Sequence, residues 1–184
     1  LVRSWFSFYL SPEQSDNIRL NPDLAGGAHW DVGVYPNSMA ITMAGGPPTA
    51  VWAQQTVGET GVVVTMIGQL LFSRGAGAQI ASSFRMPFTE GTELICDEGT
   101  LTFTHPWKPG MNDAPEALRY TPRGGDAETI AIEGVDPYLC QVRAMEACVF
   151  DGAAPIVPLS RSRDFLRSTL ALYESARTDQ VVAL

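Results

Sequence analysis

From residue 51 to residue 132 the chain repeats one pattern: a short stretch rich in Val, Thr and Ile, then a turn, then another such stretch. Candidate strands cover 51–60, 61–72, 79–85, 92–96, 100–104, 118–121 and 129–132, and 5–10 adds an aromatic-rich strand near the start. Gly75-Ala76-Gly77 and Asp97-Glu98-Gly99 are turn signals between them. Parallel neighbours need a crossover of about a dozen residues or more, so strands joined by turns this short pair antiparallel. Within 79–85, Ile80, Ser82 and Phe84 fall on one side.

Three helices frame this block. The first lies between Gly27 and Gly45, bounded by Gly45-Gly46-Pro47-Pro48 and complicated by Pro36. The second opens at Pro137, closes at Asp151-Gly152, and carries Val142, Met145 and Val149 as an apolar face. The third covers 160–177, with Phe165, Leu166, Thr169, Leu170 and Tyr173 as its expected buried stripe. Residues 181–184 add an edge strand. The expected fold is α+β: a large, open, mostly antiparallel sheet with helices packed on one face. The other face is left bare, which predicts a homo-oligomer assembled through it.

Composition narrows the function. A chain of 184 residues suits one domain, and 45% hydrophobic with 17% charged residues is a globular balance. Twelve bases against twenty acids leave a formal charge of −8, and no arginines form a run, so a nucleic-acid partner is not expected. No apolar stretch approaches the ~20 residues of a membrane helix, so no membrane association is expected either. No small-residue cleavage site follows the first ten residues, which argues against a signal peptide. Cys96, Cys140 and Cys148 form no C-x-x-C pair and read as buried small side chains, not as zinc ligands or disulfides. The cytoplasm is the expected compartment.

Few motifs carry chemistry. Gly75-Ala76-Gly77 is followed by no third glycine and lies between strands, so it is a turn and not a dinucleotide motif. His105-Pro106-Trp107 reads as a surface loop, and neither His29 nor His105 has neighbours at metal-ligand spacing. The informative run is Asn17 to Pro36, N-I-R-L-N-P-D-L-A-G-G-A-H-W-D-V-G-V-Y-P. Asp31 and Tyr35 stand four apart, so an α-helix would stack them, and a carboxylate below a phenol can orient it. A phenol is a weak base without a neighbouring cation, and Lys108, the single lysine, lies in a loop distant in sequence. On spacing alone the pair reads as a surface or core-edge Asp/Tyr pair.

That run resembles the substrate-domain motif of the Gfo/Idh/MocA family of NAD(P)-dependent oxidoreductases, in the tyrosine branch that holds glucose–fructose oxidoreductase, xylose dehydrogenase and dihydrodiol dehydrogenase. Asp97-Glu98-Gly99-Thr100-Leu101 is similar to a family strand-turn-strand segment with one glycine missing. Pro158-Leu159-Ser160 and Ser175-Ala176-Arg177 resemble the family's ending. The resemblance implies a single C-terminal domain over 1–184, for substrate binding and oligomerisation. An N-terminal Rossmann domain would hold NAD or NADP and a catalytic lysine. It also implies a sugar, polyol or cyclic alcohol as substrate, Tyr35 as the proton-transferring residue and Asp31 as its catalytic companion. Asn17, Arg19 and Trp30 would bind substrate. His29 departs from the small or aliphatic residue expected there. The chain starts at Leu1, which fits a piece of a longer protein, and such a piece alone is expected to be inactive. A non-catalytic sensor or scaffold with the same fold is the alternative.

Overall fold

The computed structural model describes all 184 residues. The strands are β1 (Val2–Tyr9), β2 (Ala50–Val57), β3 (Val63–Leu71), β4 (Gly77–Ser83), β5 (Arg85–Ile95), β6 (Gly99–Phe103), β7 (Glu116–Pro122), β8 (Glu128–Ile132) and β9 (Val182–Ala183). The helices are α1 (Val34–Ala44), α2 (Pro137–Phe150) and α3 (Leu159–Thr178). All nine strands form one open sheet in the order β8-β7-β6-β5-β1-β4-β3-β2-β9. The α+β architecture expected from the sequence is the one observed.

One pairing departs from the antiparallel rule. β1 lies between β4 and β5, parallel to the first and antiparallel to the second. The helical segment between β1 and β2 is long enough to supply the crossover that a parallel neighbour requires. β4 and β5 follow each other directly in sequence, yet they never pair. The chain passes the end of β1 at Phe84, whose carbonyl accepts a hydrogen bond from the Leu10 N–H at 2.9 Å.

Period-two alternation sorts the central strands into a covered and a bare face. Val2, Val51, Ala53, Met66, Leu70, Ala78 and Ile80 are buried with Ala40 and Ile41 of α1 and Ala171 and Leu172 of α3. Leu20, Val62, Val64 and Phe84 form a second cluster beside them. Ile80, Ser82 and Phe84 are all buried, as their shared side predicted.

Three expectations shift. The buried face of α3 is Ser168, Thr169, Ala171, Leu172 and Ser175, while Leu166 and Leu170 are about half exposed. Hydroxyls are buried there because each has a polar partner. Ser168 donates to Asn37 Oδ1 at 2.8 Å, Asn37 Nδ2 donates to Thr169 Oγ1 at 3.1 Å, and Ser175 Oγ accepts from the Ala53 N–H at 3.0 Å. α2 packs on neither sheet face and buries no residue, so only α1 and α3 cover the sheet. Cys96 and Cys140 are exposed and Cys148 is half-buried, because all three sit on the β5–β6 turn or on α2, outside both cores.

Candidate active site at the start of the first helix

The informative run folds into a knot of short turns that ends by launching α1. Asn17 Oδ1 accepts the Arg19 N–H at 3.0 Å, and Asn21 Oδ1 accepts the Asp23 N–H at 2.9 Å, each capping one turn of 3₁₀ helix. The chain then doubles back: the Gly26 N–H donates to the Asn21 carbonyl and the Gly27 N–H to the Arg19 carbonyl, both at 2.9 Å. A Cβ at Gly26 would stand 2.6 Å from the Arg19 carbonyl oxygen, and Gly27 has φ +128°, so both positions require glycine.

His29–Gly33 then forms a π-helical turn that runs straight into α1. Its wider turn changes the phase expected for Asp31 and Tyr35. Asp31 Oδ2 accepts from Arg19 Nε at 2.7 Å, a half-exposed ion pair, and no hydrogen bond links Asp31 to Tyr35. Arg19 also lies over the Phe8 ring, 6.0 Å from its centre. Of the residues expected to bind substrate, Asn17 is occupied as a helix cap and Arg19 as the partner of Asp31. Trp30 stacks on Tyr173 of α3, with ring centres 5.5 Å apart.

Tyr35 projects to an open surface. Its ring meets Phe6 of β1 edge-on at 5.6 Å and Trp107 at 5.8 Å, and Trp107 itself stacks on Phe6 at 5.9 Å. Residue exposure is 40%, and no protein group hydrogen-bonds the hydroxyl. Trp30, Val34, Ser38 and, from α3, Phe165 share an apolar pocket of about 380 Å³ with it. The loop carrying Trp107 and Lys108 is distant in sequence but not in space. It folds back until Trp107 reaches the Tyr35 ring.

Glu90 stands opposite Phe6 in the β1–β5 register, on the same sheet face as the aromatic group. Partial burial holds its carboxyl above the usual range, with His105 and Lys108 opposing that shift and Glu116 adding to it. Sequence reading gave no role to Glu90 or Trp107, because only strand register sets Glu90 beside Phe6 and only loop folding brings Trp107 to Tyr35.

His29 is a core residue. It is 1% exposed, its Nε2 has no partner, and Tyr173 meets it edge-on at 5.4 Å. Burial lowers its pKa from 6.5 to about 4, so the imidazole is neutral at physiological pH. Burial likewise pushes the Tyr173 phenol up. Gly33 packs so tightly on His29 and Ser82 that no side chain fits there.

Residues 1–102 match the model of the GFO/IDH/MocA C-terminal domain. The chain belongs to that family. A D-xylose 1-dehydrogenase (NADP(+)) from Haloferax volcanii is 35% identical over 186 aligned residues, covering all of this chain and 55% of the relative. The aldose-aldose oxidoreductase of Caulobacter crescentus, solved with glycerol, superposes with a TM-score of 0.86 at 25% identity. The match covers 100% of this chain and 55% of that one. A 3-ketoreductase from Actinomadura kijaniata, solved with NADP and TDP-benzene, has the same fold, with a TM-score of 0.86 at 23% identity over 95% of this chain and 53% of its own. The chain thus spans about half the length of the relatives it matches. No helix is long and apolar enough to cross a membrane.

Proposed function

We propose that these residues are a single substrate-binding and assembly domain of an NAD(P)-dependent oxidoreductase acting on a sugar, polyol or related cyclic alcohol. Tyr35 carries the reading. It is a phenol held by two aromatic rings at the start of a helix, open to an apolar pocket, with its hydroxyl free of protein partners. In reduction Tyr35 donates its proton to the substrate's carbonyl oxygen, and in oxidation it takes the proton from the carbinol hydroxyl. The Arg19–Asp31 pair fixes the turn before Tyr35 and borders the site with charge. Trp30 and Trp107 supply flat apolar surface for a ring substrate. Sugar-related relatives on both the sequence and the structural side support the substrate class.

The only Gly-x-Gly turn joins β3 to β4, and no helix follows it to receive a pyrophosphate. In this reading the hydride passes to or from a nicotinamide held outside these residues, and the isolated 184 residues are expected to turn over no substrate. The bare sheet face, with Trp5, Trp52, Ile67 and Leu71 among Arg3, Gln69 and Gln79, is the assembly surface in this reading. Sedimentation of the full-length protein as a monomer at high concentration would remove that part.

Tyr35→Phe in the full-length protein tests the core of the reading. It deletes one hydroxyl and keeps both ring contacts, so the melting temperature should stay put. Loss of a general acid–base group lowers kcat by roughly 100- to 10,000-fold. A kcat within about twofold of the parent, in the range of an ordinary surface substitution, would take Tyr35 out of the mechanism.

A further inference from the structure

Four side chains form one row across the helix-covered face of the sheet. Phe6 of β1 is paired with Glu90 of β5. The Thr92–Phe103 register, carried on by two residues, sets His105 opposite Glu90. The Phe103–Leu118 register, carried on in the same way, sets Glu116 of β7 opposite His105. His105 Nδ1 lies 3.5 Å from Glu116 Oε2, as that alignment requires. Neighbouring strands are about 4.8 Å apart, so each member of the row stands one strand from the next. Tyr35 and Trp107 close over the Phe6 end. Met39, one helical turn past Tyr35, joins His105 and Glu116 around a cavity of about 330 Å³ at the other end. Glu90 is the polar group between the two.

Glu90 differs from the other carboxylates of β5 and β7. Glu93 is paired with Arg3, and Glu116 with His105. The Glu90 carboxylate is partly buried, yet no group of the chain donates a hydrogen bond to it; His105 and Lys108 act on it only through their charge. Taking a carboxylate from water without giving it a donor costs stability. A group kept at that cost, one strand from the ring that touches Tyr35, is an acceptor waiting for a donor. The donor has to reach Glu90 while the reacting carbon lies at Tyr35. A second hydroxyl on a ring alcohol meets both conditions, because the ring itself spans the gap.

We propose that Glu90 is a specificity-determining residue: its carboxylate accepts a hydrogen bond from a hydroxyl of the substrate ring other than the one that Tyr35 serves, so the site selects polyhydroxylated rings over their deoxy counterparts. This rests on the oxidoreductase reading above. Steady-state kinetics of the full-length protein with NAD or NADP test it, on pyranose sugars and on the monodeoxy forms of each. Glu90→Ala should lower kcat/KM on the preferred sugar roughly 10- to 100-fold, the range of a lost hydrogen bond to a charged group, with more of the loss in KM than in kcat. Glu90→Gln still accepts a hydrogen bond but carries no charge, and should recover part of that loss. The parent protein should lose a similar factor on one monodeoxy sugar, and on that sugar Glu90→Ala should cost nothing more.

Equal losses for Glu90→Ala on every sugar and every monodeoxy form would overturn the proposal, since the residue would then act on the fold and not on a hydroxyl. Should the variants fail to fold, the parent protein still decides: equal kcat/KM on a sugar and all of its monodeoxy forms overturns it too. Turnover without such discrimination removes this inference alone. Absence of turnover on every sugar removes the oxidoreductase reading and this inference with it, so the two failures are separate results.

Discussion

The two ends of the sheet obey different rules. Around β1 to β4, α1 and α3 close over one face and bury two clusters, with Phe84, Leu70 and Leu172 wholly inaccessible. From Gly99 to Arg167, through β6, β7, β8 and α2, Gly110 is the only buried residue. The first region stabilises itself by burying apolar surface, and the second is held mainly by strand hydrogen bonds, helped by the Trp107 contacts and the Asp113–Asp136 hydrogen bond. The family model matches 1–102, and so takes in β1 to β5 and α1 while stopping inside β6 and leaving out α3. Tyr35 sits on the seam: α1 supplies it from the packed region, and Trp107 reaches it from the other. The difference shows that one part of a sheet can carry nearly all of the buried core while the other part stays open.

The contrast can be attacked first where it is strongest. Phe84→Ala opens a cavity in a closed core and should cost about 3–5 kcal/mol in a urea melt. A loss under about 1 kcal/mol would mean that the packed region is not tightly packed, since Phe→Ala in a core normally costs several times more. His29 probes the same core through pH. Its pKa lies near 4 when folded against 6.5 for a free imidazole, so the unfolded chain takes up a proton that the folded chain refuses. Stability is therefore full above about pH 6.5 and declines as pH falls towards 4, by about 3 kcal/mol in total. His29→Asn should flatten that slope; identical slopes in urea midpoints across pH would take His29 out of the core.

The seam gives a smaller effect. Trp107→Ala removes two aromatic contacts worth about 0.5–1.5 kcal/mol each. In the full-length protein kcat/KM should fall several-fold to about tenfold, with a melting-temperature drop well below that of Phe84→Ala. A drop in melting temperature like that of Phe84→Ala would make Trp107 part of the core instead. The smallest change belongs to Phe150→Ala in the 184-residue chain, expected within about 0.5 kcal/mol because the ring touches almost nothing there. A core-sized loss would erase the distinction between the two regions.

Most of the strands and all three helices were legible because period and punctuation are local. Val- and Thr-rich composition marked β2 and β3, alternation marked β4, and Pro137 with Asp151-Gly152 bounded α2. The phase of α3 was legible only in part. Thr169 is buried as expected, but Leu166 and Leu170 are half exposed, and Ser168 and Ser175 are buried in their place against Asn37 and the β2 backbone. A hydroxyl satisfied inside a core looks like a surface hydroxyl in a sequence. The site divided similarly. Tyr35 and Trp30 stand at an open pocket, but Asn17 and Arg19 hold the turn, Trp107 was read only as part of a surface loop, and Glu90 went unnoticed.

The sequence by itself determined the local chemistry of the Asn17–Pro36 run. Its asparagines cap, its glycines allow the chain to double back, and its acidic, basic and phenolic groups are fixed in order. Tertiary structure decided which of these groups meet. The π-helical turn at His29–Gly33 sends Asp31 to Arg19 instead of Tyr35, and a loop some seventy residues later brings Trp107 to the phenol. Tertiary structure also left α2 without a cover, which no reading of its periodicity could show. The physical reason is common to both. Periodicity fixes which face of an element is apolar, while the partner of that face depends on contacts between residues far apart in the chain.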